Sequence, residues 1–350
     1  MELVEDVASI ESDWDALADR LGATPFARPG WILAWQRAFG AGRPAYLVLR
    51  RDDRLAGLVP LQLERGVAAA PANWHTPLFE LLAEDDAAAG ELAGGLLAQA
   101  PLTIDLTMID PAAVGTTALT RSAEEAGFGL IARTVTLSPY VPIVGAFDDF
   151  MADLDRKFKK EIGRRWRRLA AGGDVEVSFE SGGERLDELL DDGFRVEGSG
   201  WKSEEGTAIL SDARLERFYR EVAHWAADRG WLRLAFLRLD GRALAFDFCI
   251  EAGGVHYVPK GGFDVEYRKH GPGQLLTHAG IRRAFELGLD SYELLGQQDE
   301  YKRQWTAHAH ERIRLQAFPR RPAGSAAYVA WRYGRPLARA VLRRGRADPS

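Results

Sequence analysis

The sequence predicts a mixed α/β (α+β) fold made of two tandem copies of one unit. Three observations predict it. Strand-type runs alternate with helical periodicities along the whole chain. A glycine-rich turn, Tyr267-Arg-Lys-His-Gly-Pro-Gly-Gln-Leu-Leu276, joins such a strand to such a helix. The first half also runs through hairpin, helix, strand, helix and extended segment in an order that the second half repeats. At 350 residues the chain has room for two domains with their own cores.

The elements follow in order. Trp14, Leu17 and Leu21 have helical spacing over residues 11–21, and a second helix is expected at 30–39. Strands at 45–51 and 55–64 flank the turn residues Asp52 and Asp53. After an irregular stretch through Pro71 and Pro77 come an alanine- and leucine-rich helix at 87–100, a strand at 102–109 and a helix at 112–126. An extended segment at 128–144 is broken by Pro139 and Pro142.

The second half opens with a helix at 147–171, a strand at 174–180 and helices at 184–197 and 212–229. Strands at 231–239, 243–250 and 255–263 follow, the first two joined by the hairpin signal Asp240-Gly241. Beyond the glycine turn, residues 274–287 read as a helix with His278, Arg282, Arg283 and Glu286 on its polar side. A strand at 291–295, a helical piece at 301–305 and a strand at 312–318 complete the unit. The expected division is 1–146, 147–319 and a basic tail at 320–350.

Gly271 and Gly273 lack a Cβ, so the turn tolerates unusual dihedrals and close approach by a ligand, while Pro272 stiffens it. The N–H groups of the helix start and the positive end of its dipole suit a phosphate or pyrophosphate. The spacing Arg268-x-x-Gly271-x-Gly273 resembles the acyl-coenzyme A pyrophosphate loop of the GNAT acyltransferase superfamily. Its surroundings, Tyr257-x-x-Lys260 with Asp264 before it and Tyr301-Lys302-x-x-Trp305 after it, resemble the CelD/BcsL polysaccharide-biosynthesis group. That group is distantly similar to the FemAB peptidyltransferases.

The resemblance implies two tandem GNAT-like domains, with acyl-coenzyme A held by Arg268, Lys269, His270, Gly271, Pro272, Gly273, Gln274 and Leu275. At the matching point the first copy carries Glu84-Asp85-Asp86, which would repel a pyrophosphate, so only the second copy is expected to bind it. The resemblance further implies carbonyl polarisation by a backbone N–H around 258–261, with Tyr301 as proton donor and Lys302 beside it. Glu197 is the candidate to hold or deprotonate an amine, and Trp201 and Lys202 line the acceptor side. Lys260 and Asp264 match the family pattern, either towards substrate or as an ordinary salt bridge. Asp299 and Glu300 are rival bases or simple helix-start acids. Amide formation from a thioester needs no covalent enzyme intermediate, in keeping with the lack of a recognisable triad.

Charge is unevenly spread. Residues 1–150 hold 10 Lys+Arg against 21 Asp+Glu, whereas the chain from Arg320 has eight arginines and one aspartate. The acidic half argues against a nucleic-acid grip there. Phe158, Ile162, Trp166 and Leu169 share one face of an otherwise basic helix that resembles the family's basic linker, read either as a cationic wall over an anionic acceptor or the cofactor's 3′-phosphate, or as a solvated inter-domain helix. The tail's aromatic residues and arginines suit weak contact with an anionic membrane surface or packing on a neighbouring domain. One cysteine, Cys249, excludes an intrachain disulfide and reads as a buried hydrophobe. The histidines show no metal-ligand spacing, so no metal is expected, and His308 and His310 read as a solvated turn or edge. No apolar run is long enough for a bilayer and no signal peptide is legible, which points to the cytoplasm.

These readings converge on acyl, in the first instance acetyl, transfer from acyl-coenzyme A to an amine, such as an amino sugar or another envelope or polysaccharide precursor. A FemAB-like transfer from aminoacyl-tRNA and a non-catalytic ligand-binding module of the same fold are the alternatives. Acceptor identity and oligomeric state are not legible in the sequence.

Overall fold

The computed structural model describes residues 1–99, 102–199 and 208–334. The chain divides into two compact units. One comprises Met1–Ile32, Gly40–Val135 and the chain from Glu311; the other comprises Leu33–Phe39 and Thr136–His310.

The first half contains β1 (Glu2–Val4), α1 (Glu11–Leu21), α2 (Pro29–Phe39), β2 (Arg43–Arg51), β3 (Arg54–Glu64), β4 (Val67–Ala69), β5 (Leu82–Ala83), α3 (Asp86–Gln99), β6 (Thr103–Ile109), α4 (Val114–Glu125) and β7 (Gly129–Pro142). The second half contains α5 (Phe147–Asp153), α6 (Arg156–Ala170), β8 (Val175–Glu180), α7 (Leu186–Glu197), α8 (Ala213–Asp228), β9 (Leu232–Leu239), β10 (Arg242–Ala252), β11 (Val255–Phe263), α9 (Pro272–Glu286), β12 (Ser291–Glu293), α10 (Glu300–Arg303), β13 (Ala309–Phe318) and α11 (Pro322–Val329).

In the first unit the strands lie in the order β1-β2-β3-β4-β6-β13, antiparallel except for the parallel pair β4/β6. In the second they lie in the order β8-β9-β10-β11-β12-β7, antiparallel except for the parallel pair β11/β12. The two sheets thus have the same order and the same strand directions. Each is closed by a strand from the other half of the sequence, with β13 returning to β6 and β7 reaching forward to β12. Even a backbone irregularity repeats: Met108 at the end of β6 and Leu295 just after β12 both have positive φ, 59° and 53°.

Burial explains the elements. In the first unit Leu92 and Leu96 of α3 and Leu119 of α4 share a core with Val59, Leu61, Ile104 and Leu106 of the sheet. In the second unit, Phe158, Ile162 and Leu169 of α6 and Leu275, Leu276, Ile281 and Ala284 of α9 share a core with Ala235, Leu237, Ala245 and Cys249. Phe194, Phe218 and Tyr219, from α7 and α8, are fully buried, and Phe194 and Tyr219 make ring contacts with Phe246 and Phe248 of β10.

Three sequence expectations are corrected. The single helix at 147–171 is two, because Leu154 is extended (φ −68°, ψ 157°) and Asp155 starts a new helix, its carboxylate accepting from the Phe158 N–H at 2.9 Å. The segment at 128–144 is one strand through its prolines; Pro139 lacks an N–H, but its carbonyl accepts from Leu294 N–H at 3.0 Å. His310 lies in β13 rather than in a solvated turn, its ring stacked on Tyr140 with centroids 4.1 Å apart. Among the described residues, no helix is long and apolar enough to cross a membrane, and no cluster of His, Cys, Asp and Glu is arranged to hold a metal ion.

Candidate active site

The site begins where two strands part. β11 and β12 pair in parallel from Val255↔Ser291 to Tyr257↔Glu293, after which β12 ends while β11 continues to Phe263. On its other edge β11 carries a bulge, since Phe248 and Ile250 of β10 face Lys260 and Tyr257, four residues of β11 against three of β10. Pro259 lies inside that bulge and has no N–H to offer a ladder. Residues 258–263 therefore run past the end of β12 as a half-buried strand edge.

The chain then forms a 3-10 turn, Val265–His270, and reaches Gly271 in the left-handed region (φ 62°, ψ 48°). Pro272 opens α9, and no side chain caps this helix start. The Leu275 N–H bonds to Gly271 O at 3.1 Å; the amides of Gly273 and Gln274 have no acceptor among the described residues. Arg268 and Lys269 are exposed just before the helix, without ion-pair partners among the described residues. A further cation arrives from α6: the guanidinium carbon of Arg165 lies 2.9 Å from where a Cβ on Gly271 would stand. Its Nε is held by Glu161 at 2.9 Å. His270 is half-buried, Gln274 donates to Gln304 at 3.1 Å, and Leu275 is fully buried in the core, where it anchors the helix.

Tyr301, on α10, meets the first turn of α9. Its hydroxyl is 2.5 Å from Thr277 Oγ1, which itself donates to Gly273 O at 3.0 Å. The residue is 36% exposed, yet its hydroxyl end is turned inwards; burial, reinforced by the Asp247 carboxylate, pushes the phenol above its ordinary pKa. Lys302 donates to Leu295 O at 2.6 Å and Gln297 O at 3.3 Å, tying down the turn that holds Leu295 at positive φ. Asp299 is the N-cap of α10, accepting from Lys302 N–H at 3.0 Å.

On the α7 side, Glu197 and Lys260 come together at 3.3 Å, with Glu197 fully buried and Lys260 nearly so. The other oxygen of Glu197 accepts from Ile209 N–H at 2.9 Å. Asp264 pairs with Arg242 at 2.6 Å and accepts from Glu266 N–H, so it starts the 3-10 turn and makes no salt bridge with Lys260. Trp201 and Lys202 lie outside the described residues. His278, expected on the polar side of α9, instead accepts from Trp166 Nε1 at 3.3 Å and packs edge-on against Phe147.

Sequence reasoning missed Thr277 and Asp247 as site residues, and read the basic helix as a cationic wall without singling out Arg165. Asp247 has a legible signal, an acid in the middle of the apolar run Ala243 to Ile250, opposite a tandem glycine pair in β11. Successive strand residues face opposite sides. A Cβ on Gly261 would stand 3.0 Å from Asp247 Cγ, and one on Gly262 would stand 2.6 Å from Glu197 Cα. The two glycines thus let one carboxylate residue press on each face of β11, beside the gap. In the first unit the corresponding helix start is filled: Asp85 accepts from Ala88 N–H at 2.7 Å, and Arg51 pairs with Asp85 at 2.9 Å.

The stretch that carries this uncapped glycine-led helix start and the parting parallel strands matches a family model. The family model described as acetyltransferase (GNAT) domain covers residues 156–303. Residues 156–303 are similar to a GNAT acetyltransferase domain. No curated protein matches the chain in sequence. Among solved structures, FemX is similar with a TM-score of 0.58 at 12% identity, over 90% of this chain and 97% of its own. The C-terminal domain of a putative lysylphosphatidylglycerol synthetase from Agrobacterium fabrum is similar with a TM-score of 0.56 at 14% identity, over 93% and 97%. L-PGS from Bacillus licheniformis follows with a TM-score of 0.52 at 10% identity, over 86% and 94%. Such identities speak for the fold alone. The matched stretch contains the cradle, the parting strands and Tyr301.

Proposed function

We propose that the GNAT domain moves an acyl group, acetyl in the simplest case, from acyl-coenzyme A to an amine. An amino sugar or another envelope or polysaccharide precursor, as in the CelD/BcsL group, is the proposed acceptor. The observation that carries this reading is the start of α9: two amides without acceptors, a left-handed glycine and the cations Arg165, Arg268 and Lys269 around it. That set suits a pyrophosphate.

The roles follow from position. A backbone N–H within 258–261, Pro259 excepted, polarises the thioester carbonyl at the strand gap. The amine attacks that carbon, the C–N bond forms and the C–S bond breaks. Glu197, paired with Lys260, takes the amine's proton. Tyr301, protonated at neutral pH as an ordinary phenol is, gives its proton to the leaving thiolate. Lys302 and Asp299 hold the turn and the short helix that position Tyr301.

Thermal shift with coenzyme A and acetyl-coenzyme A, followed by thiol release over a panel of amines, tests the reading. Stabilisation with turnover supports it. Stabilisation without turnover makes the domain a binding module, and a shift only with charged tRNA replaces the donor.

A further inference from the structure

We infer that His310, held by Glu293, takes the first of the two protons that an alkylammonium acceptor must lose; this rests on the acyl-transfer reading above. An aliphatic amine is protonated at neutral pH, as a lysine side chain is. Its nitrogen sheds one proton before its lone pair can attack the thioester, and a second as the C–N bond forms. Glu197 is the base proposed for the second. The first needs a base of its own, on the same face of the sheet.

The strand register supplies one. Residues paired across neighbouring strands share a face, and successive residues alternate. Phe248 and Ile250 of β10 pair with Lys260 and Tyr257 of β11, and Phe248 packs on Tyr219 of α8. Tyr257 pairs with Glu293, and Glu293 with Tyr140, so Glu293 shares the face of Lys260 and its partner Glu197. The cradle helix α9 packs on the other face, with Ala245 and Cys249. Glu293 is also the residue at which β12 leaves β11, so it borders the gap proposed for the thioester.

The Glu293 side chain is buried, and its Oε1 meets His310 Nε2 at 3.3 Å and accepts from Ser291 Oγ at 3.2 Å. The imidazole stacks on the Tyr140 ring and keeps 35% of its side chain exposed. Among the described residues, the titratable groups around it are Glu293 on β12, Tyr140 on β7 and His308 just before β13, which meets the same Tyr140 ring. With Nε2–H donated to the carboxylate, Nδ1 carries the free lone pair, and the carboxylate offsets the charge of the imidazolium that forms. An ammonium proton passes to Nδ1, and the freed lone pair forms the C–N bond while Glu197 takes the second proton. The C–S electron pair leaves with the sulfur, which takes the proton of Tyr301. His310 returns its own proton to water through its exposed edge.

The test is kcat/KM of the full chain with acetyl-coenzyme A and the alkylamine turned over fastest in the panel above, followed from about pH 7 to about pH 10. His310→Ala should lower it about a hundredfold at the neutral end. The deficit should close as the solution itself deprotonates the amine, and added imidazole should restore part of the neutral-pH rate. His310→Gln, which keeps a donor for Glu293, should show the same pH-dependent deficit with a melting temperature close to wild type. A pair that merely ties β12 to β13 predicts a deficit independent of pH and deaf to imidazole. That result, or an undiminished neutral-pH rate in both variants, overturns the inference and leaves the acyl-coenzyme A reading standing. No turnover of any amine by wild type overturns both.

Discussion

Arg165, on α6, stands over Gly271, its guanidinium carbon 2.9 Å from the place a Cβ would occupy. The contact joins a basic helix outside the sheet to the residue that turns the chain into α9. It gives that helix a purpose beyond packing: a cation fixed by Glu161 at the mouth of an uncapped helix start. Arg165→Ala and Arg268→Ala should each weaken coenzyme A binding, by about tenfold to a hundredfold, while leaving the melting temperature of the free protein nearly unchanged. Calorimetric titration checks this, and unchanged affinity in both variants removes them from the cradle.

Tyr301→Phe deletes the hydroxyl that meets Thr277 and should lower kcat by about a hundredfold or more with little effect on cofactor affinity. Steady-state kinetics on the best amine settles it. Full activity would leave the thiolate's proton without a donor in this account.

Lys260→Met strips the buried Glu197 carboxylate of its ammonium partner and should destabilise the protein by about 3–5 kcal/mol. The matched apolar pair Lys260→Met/Glu197→Leu should recover much of that loss while abolishing turnover. Denaturant melts of both variants provide the comparison, and a single variant as stable as wild type would show that the pair does not support the fold.

The tandem glycines make a paired prediction. Gly262→Ala drives a Cβ into the backbone of α7, 2.6 Å from Glu197 Cα, and should cost roughly 2 kcal/mol or more. Gly261→Ala meets first the movable end of Asp247, with the Phe246 carbonyl no closer than 3.3 Å, so it should spare stability more and disturb turnover instead. Equal melting temperatures for the two variants would contradict this geometry.

Acid should loosen the second unit. Burial, aided by Arg282, lowers the pKa of His278 from 6.5 to about 4, so between those values the unfolded chain binds the extra proton and the folded one does not. Stability therefore rises with pH across that window and is lost as pH falls from about 6.5 towards 4, by on the order of 2–3 kcal/mol. Glu251, lowered to about 2 because hydrogen bonds from His256 and Arg283 outweigh the opposing effect of burial, adds a loss in the same direction below pH 4.5. His278→Phe should flatten the upper part of the profile in pH-dependent melts; a profile unchanged from wild type counts against the assignment.

Much of this was legible before any coordinates. The alternation of strands and helices and the glycine-led helix start follow from local rules, because Gly271 at positive φ and Pro272 at the first helical position speak through dihedral preference alone. What local rules do not carry is the meeting of distant side chains. Arg165 reaches Gly271 across more than a hundred residues of sequence, and the Asp247 carboxylate acts on Tyr301 from another element entirely. The exchange of β7 and β13 was equally hidden, since a closing strand carries no mark of which sheet it will join. The break at Leu154 was missed for a subtler reason: an unbroken helical periodicity masks an N-cap as good as Asp155.

A crystal structure with coenzyme A bound tests the central claim most directly. The account places the pyrophosphate within hydrogen-bonding distance of the Gly273 and Gln274 amides, with the Arg165 guanidinium alongside. A pyrophosphate found at the start of α3, or a start of α9 kept closed by side chains while coenzyme A binds elsewhere, would contradict it.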